Sequence, residues 1–276
     1  MDNLIKKIEE IERSSLSDME KLQNFVNFMA NLNPAENYDT LMSACKYGIS
    51  YSSKLNRPEM EAQFYISRAK ILIMQTVRPI GEMKNITLAP NWFQFALESE
   101  KRKYNELNEK VKKTWDNVHS DIDKAFETIN KNRDLGAVAF CLKTTGEIYG
   151  QYYLQIKLYN FQSKFSVFTK IVNNKFFRFL ELDDMIFLDK TTRKKLKIVK
   201  RDCLVNLNKA TAIFKKLKNY DYLADAFIAL SVEYNSFNNF IKDKYYLFLA
   251  ERLIKRYNLK GLEENLSKIK KQRQKY

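Results

Sequence analysis

Apolar residues recur along this chain at steps of three and four, the spacing that lays them along one side of an α-helix. In the segment opened by Asn33 and Pro34 the stripe is Leu41, Ala44, Gly48, Tyr51 and Leu55. After Pro58 it is Ala62, Tyr65, Ala69, Leu72 and Ile73. Both starts suit a proline, whose missing N–H would have no partner in the first turn of a helix. Ser17 with Glu20 three residues on forms a capping box ahead of Leu22, Phe25 and Phe28. The helix that begins at Pro58 is predicted to close at Pro79 and Gly81.

From Pro90 to Asn130 a charged stretch carries Phe95, Leu107, Val111, Trp115 and Val118. A second capping box at Ser120 and Asp123 predicts a break or bend, with Ile122, Ala125 and Ile129 facing inward beyond it. Asp134 is placed to cap the next helix, which presents Phe140, Leu142, Ile148, Tyr149 and Tyr152. Between Phe161 and Leu188 the rhythm changes, and seven phenylalanines are interleaved with basic residues. From Leu196 to Ile269 it resumes in three or four segments.

Composition narrows the class. Of 276 residues 45% are hydrophobic, yet only 6 are Gly and 4 are Pro. So few breakers demand long helices joined by short turns, and exclude an all-β fold with a turn about every ten residues. The expected fold is all-α, with about nine to eleven helices.

The clearest helix pair lies near the end of the chain. Phe227, Leu230, Ser231 and Tyr234 fall on one helix, and Leu247 and Ala250 on the next, with a turn expected near Lys242 and Asp243. These six residues form the seam of an antiparallel pair. Their spacing resembles the tetratricopeptide repeat, which has a large aromatic, Leu-Gly and Tyr on its first helix and Phe and Ala on its second. Ser231 and Ala250 stand at the positions where the two helices cross and only a small side chain fits. Leu142, Thr145, Gly146 and Tyr149 match the first-helix half, and Ile122 with Ala125 and Leu207 with Ala210 match the second.

The resemblance implies an α-solenoid of stacked antiparallel helix pairs. Residues 1–160 are its N-terminal part and 161–276 its C-terminal part, in one continuous array whose clearest unit spans 220–260. A second likeness sits in Phe140-x-Leu142-Lys143-x2-Gly146-Glu147-x-Tyr149, which resembles a helix of the 14-3-3 phosphopeptide-binding proteins. Gly150 and Gln151 stand where that family carries the Arg-Tyr pair that grips the phosphate.

Charge divides the chain. The net charge is +15. Residues 1–138 hold 20 basic against 20 acidic side chains, and residues 139–276 hold 28 against 13. The whole excess lies in the second half and points to an acidic partner. Its sharpest concentration is Arg193, Lys194, Lys195, Lys197, Lys200 and Arg201. Residues 193, 197, 200 and 201 share one helical face, a ribbon able to neutralise several phosphates. The preceding phenylalanines would give single strands a stacking platform or let the segment lie on an anionic membrane surface.

Chemistry-bearing clusters are not assembled in the sequence. One histidine, His119, has no nearby cysteine and is expected to face solvent at a helix junction. Cys45, Cys141 and Cys203 are odd in number and far apart, which offers neither a disulfide framework nor a metal knuckle and suits a reducing, cytoplasmic setting. The glycines fit neither the dinucleotide fingerprint nor the P-loop. Asp121 with Asp123 reads as a helix start, and Asp183 with Asp184 as a turn. The longest uncharged stretch, Asn85 to Leu97, is broken by Pro90 and too short to cross a bilayer.

No catalytic residue, metal site or cofactor is expected. The chain reads as a non-enzymatic scaffold that binds a protein or peptide along a groove formed by successive first helices. The alternatives are RNA or DNA binding through the basic half, and binding of a phosphopeptide or an anionic membrane surface.

Overall fold

A computed structural model describes residues 2–30, 37–87, 98–130, 134–162 and 190–274. Among them lie eleven α-helices and no strand: α1 (Asp2–Arg13), α2 (Asp18–Ala30), α3 (Tyr38–Lys54), α4 (Pro58–Gln75), α5 (Val77–Thr87), α6 (Glu98–Ile129), α7 (Leu135–Gln162), α8 (Lys190–Lys216), α9 (Tyr220–Ser236), α10 (Phe240–Tyr257) and α11 (Lys260–Gln274). Asn33, Pro34, Pro90, Phe95, the phenylalanine-rich segment beyond α7, and Asp183 with Asp184 lie outside the described residues.

Local capping chemistry sets several of these starts. The Glu20 carboxylate accepts from the Ser17 amide at 2.8 Å, and the Glu20 amide donates to Ser17 Oγ at 3.3 Å, the two halves of a capping box. Pro58 occupies the first turn of α4. Asp134 accepts from the Ala137 amide at 2.8 Å and caps α7.

Two expected boundaries move. Helix α4 ends at Gln75, and Pro79 and Gly81 lie inside α5 rather than closing α4. Pro79 is the third residue of α5, where its missing N–H removes no helical hydrogen bond. Helix α6 runs unbroken through Ser120 and Asp123. The capping box there is overruled because Asp121 is buried and grips Arg68 of α4 through two hydrogen bonds of 2.6 and 2.7 Å.

Four turns share one construction. Asn56, Lys218, Asn238 and Asn258 take the left-handed conformation, and the next residue's amide reaches back five positions, as in Asn239 N to Tyr234 O at 2.8 Å. The last three fall at intervals of 20 residues, each after a large apolar residue: Leu217, Phe237 and Tyr257. The side chains of Asn219 and Asn239 then cap α9 and α10. A turn of two or three residues reverses the chain, so neighbouring helices pack side by side.

The packing follows pairs. Helix α4 lies on α6, α7 on α8, and α9 on α10, while α4, α7 and α9 also touch one another in a row. Helix α11 rests on α9 and α10. One apolar cluster runs through α4, α6, α7, α8 and α9 and includes Ile66, Ile122, Ile148, Leu207 and Leu230. Each such side chain contributes about 1.5–3 kcal/mol by leaving water. A second cluster joins α1, α2 and α3 to α4 through Ile8, Leu22, Phe25, Ala44 and Phe64.

Two glycines of α7 fix its position between partners. A Cβ on Gly146 would stand 2.6 Å from Leu207 Cγ of α8, and one on Gly150 would stand 2.0 Å from the Glu233 carboxyl of α9. The first-helix pattern around Gly146 and the second-helix pattern at Leu207 and Ala210 therefore belong to two helices that cross at that point. They are remote in sequence, so the residues directly after Tyr149 show no second-helix pattern.

Candidate functional site: a charged groove on α4, α7 and α9

The row α4, α7, α9 carries a chain of paired charge, buried at Lys143, largely withdrawn from solvent at Glu147, half-buried at Asp225 and exposed at Lys70. Lys70 Nζ lies 2.5 Å from Glu147 Oε2, Glu147 Oε1 lies 2.9 Å from Lys143 Nζ, and Lys143 lies 2.5 Å from Asp225 Oδ2. One side chain from α4, two from α7 and one from α9 thus alternate in sign. Lys143 and Glu147 sit one turn apart on α7, which places both at the same edge.

Burial disfavours the charged form of Glu147, yet Lys143 and Lys70 outweigh it and hold the carboxyl well below its ordinary range. Burial likewise disfavours charged Lys143, and Glu147 and Asp225 reverse that and raise it. The Lys143–Glu147 pair is thus ionised although both side chains are largely withdrawn from bulk water.

Beside this chain of charge is a cavity of about 360 Å³. Its polar lining is Lys70, Glu147, Gln151, Asp225, Glu233 and Asn265. Ile73, Ile148, Ile228, Val232 and Ile269 supply apolar wall. Four helices contribute, since α11 adds Asn265 and Ile269 to the row.

Glu233 differs from every other acid in the lining. It is 4% exposed, and its Oε2 is sealed from solvent with no hydrogen-bond partner among the described residues. Burial first, then the charge of Glu147, pushes its carboxyl up to about 8, so it is mostly protonated at neutral pH. Cys203 of α8 lies nearby; burial, with Glu233 and Glu147 adding, pushes its thiol far above the ordinary range. Gly150 leaves the room that this carboxyl fills.

The residues singled out in the sequence lie elsewhere. Arg193, Lys194, Lys195, Lys197 and Arg201 are exposed on α8, and Lys200 is half-buried. Lys195 Nζ sits 5.2 Å from the Tyr152 ring and 5.7 Å from Trp115, and Lys200 Nζ sits 5.1 Å from Phe237. Arg201 pairs with Asp202 at 2.9 Å. Half of the run is thus turned toward rings of the protein's own packing or toward a neighbouring acid.

In the α9–α10 pair, Leu230, Ser231, Tyr234 and Ala250 are buried, and Phe227 and Leu247 are half-buried. The turn is at Phe237–Asn239 rather than at Lys242 and Asp243. Asp243 is inside the first turn of α10 and buried. Ser231 does more than leave space there. Its hydroxyl donates to Asp243 Oδ1 at 2.6 Å and accepts from Arg273 Nη2 at 2.9 Å, while Arg273 reaches Asp243 at 2.7 Å. Burial raises the Asp243 carboxyl, and the Ser231 hydrogen bond and Arg273 offset part of that rise.

His119 is not at a junction. It is half-buried in the middle of α6, its ring edge-on to Tyr152 with centroids 5.9 Å apart. Among the described residues no three His, Cys, Asp or Glu side chains come together to hold a metal, and no helix is long and apolar enough to cross a membrane. The three cysteines are free and buried.

Sequence reasoning missed Lys70, Asp225 and Glu233, and met Lys143 and Glu147 only as part of the 14-3-3-like string, without their pairing. A signal existed for Glu233, which stands three residues after Leu230 and four before Phe237, on the apolar face of its helix. Lys143 similarly falls between Ala139 and Gly146 on the small-residue edge of α7.

The chain matches no protein-family model, no curated protein and no solved structure. What it binds is read from its own residues.

Proposed function

We propose that this protein is a non-enzymatic scaffold of stacked, tetratricopeptide-like helix pairs that binds a peptide or protein segment in the groove on α4, α7 and α9. The observation that carries this reading is the cavity, which opens between α4, α7, α9 and α11. Its apolar walls offer area for a side chain to bury, and its paired charges fix the spacing of the helices that form it.

Panning a random peptide library on the protein tests it. Peptides selected on the wild type should lose about tenfold or more in affinity for Val232→Trp, which fills the groove from a half-buried position. Helicity and melting temperature of the variant report that it is folded. Equal binding to a folded Val232→Trp would overturn the reading, as would a turnover abolished by changing one polar side chain.

A second reading rests on α8, where Arg193, Lys194 and Lys197 are exposed and have no ion-pair partner among the described residues. Three phosphate contacts on duplex DNA give a slope of log K against log salt of about −2.7. Charge reversal at Lys194, Lys197 and Arg201 should then weaken binding at least tenfold, and unchanged binding would remove this patch from consideration.

A further inference from the structure

We propose that the groove receives a basic side chain, a lysine or arginine of the bound peptide, with the Glu233 carboxylate as its counter-ion. This deepens the peptide-binding reading and rests on it. It also reverses the expectation from net charge alone, because the two cations there are taken up by Glu147 and Asp225 and none is left for Glu233.

The charge count at the site carries the inference. Around Glu233, α4 supplies Lys70, α7 supplies Glu147, α8 supplies Cys203 and α9 supplies Asp225, with Lys143 of α7 joined to Glu147 and Asp225, while α11 adds only the uncharged Asn265 to the polar lining. Both lysines are already bound, Lys70 to Glu147 and Lys143 to Glu147 and Asp225. Three acids face two cations, and Glu233 is the acid left over. Its Oε2 has no hydrogen-bond partner among the described residues, although the group is 4% exposed and lines the cavity.

A buried polar atom without a partner costs stability, and turning the Glu233 carboxyl from Gly150 toward the cavity that it lines lets a ligand supply the missing donor. A guanidinium or ammonium group supplies it with a charge, and its methylene stem suits the walls at Ile73, Ile148 and Val232. A neutral donor would satisfy the hydrogen bond but leave the carboxyl protonated. A second anion would face Glu147 and Asp225 and be repelled. On entry of the cation the carboxyl O–H bond breaks, and its proton leaves to solvent.

The free protein should show a Glu233 side-chain carboxyl that titrates near pH 8, assigned in carbon-13 spectra by its loss in Glu233→Gln. Butylguanidinium should lower that midpoint by at least one pH unit, and the neutral butylurea should not, with sodium chloride matching the ionic strength. An unmoved midpoint at high butylguanidinium, or an equal shift with butylurea, would overturn the assignment. Peptides panned on the wild type should contain Lys or Arg and bind Glu233→Gln about tenfold more weakly.

The two levels of the reading fail differently. Peptides that are lost on Val232→Trp but carry no basic residue and bind Glu233→Gln normally would overturn the basic-group inference and leave the groove intact. Peptides indifferent to Val232→Trp would overturn the groove itself. Glu233→Gln keeps the shape of the protonated acid, and its melting curve shows whether it is folded.

Discussion

The Glu233 carboxyl rests against the bare Cα of Gly150, so close that a Cβ added there would stand 2.0 Å from Oε2. Gly150→Ala must therefore push the acid of α9 away from α7. A loss of about 1–3 kcal/mol is expected from this overpacking, read as a fall in the denaturation midpoint. Glu233→Ala in the same chain vacates the space, so the double variant should be more stable than the sum of the single losses. Strictly additive losses would mean that the two residues do not press on each other.

Glu233 also sets a pH dependence. Its folded pKa of about 8 lies above the ordinary 4.5, so between those values the folded state holds a proton that the unfolded state has lost. Its contribution is complete below about pH 4.5 and is lost as pH rises to about 8, by about 1.4 kcal/mol per pH unit within the window. Glu233→Gln removes that titration. The variant should melt near the wild-type temperature at pH 5 and above it at pH 8. Parallel melting curves for the two proteins across this range would contradict the buried neutral acid.

Glycines at contacts and glycines in open space should respond with opposite sign. Gly146→Ala drives a Cβ to 2.6 Å from Leu207 Cγ and 3.1 Å from the Cys203 carbonyl oxygen, which is backbone and cannot swing aside. This variant should be destabilised by about 1–3 kcal/mol. Gly81→Ala and Gly261→Ala meet nothing within 4 Å and lie in helices, so each should gain about 0.5–1 kcal/mol. Thermal denaturation of the three variants side by side checks the contrast.

Arg68 and Asp121 make a fourth test. Their hydrogen bonds of 2.6 and 2.7 Å join α4 to α6, with the Asp121 side chain 5% exposed. Arg68→Met leaves that carboxylate buried without its partner and should cost about 3–5 kcal/mol. Arg68→Met with Asp121→Leu removes both charges and should recover most of the loss. A melting series of the wild type, the single and the double variant reads the recovery directly.

What was legible in the sequence was decided locally. The starts at Ser17, Pro58 and Asp134 are chosen by side chains within a turn of the backbone groups they serve, so the motif and the structure coincide. The continuity of α6 was not legible, because Ser120 and Asp123 carry a cap's residue types while Asp121 answers to an arginine 53 residues earlier. The α7–α8 pair escaped for the same reason: Gly146 and Leu207 are each ordinary until they are placed in contact. The candidate groove lay further out of reach. Lys143 enters the sequence reading only through the 14-3-3-like string, and the approach of Asp225 from another helix makes it a buried link.

The alternating pairs from Lys70 to Asp225 have a mechanical consequence. Sliding α7 along α4 by one helical turn, about 5.4 Å, would part Lys70 from Glu147, and sliding it along α9 would leave Asp225 without Lys143, while the Lys143–Glu147 pair within α7 would travel intact. Turning one helix pair about the line of these contacts disturbs them far less. The row therefore resists shear along these helices more than rotation about the line of contacts.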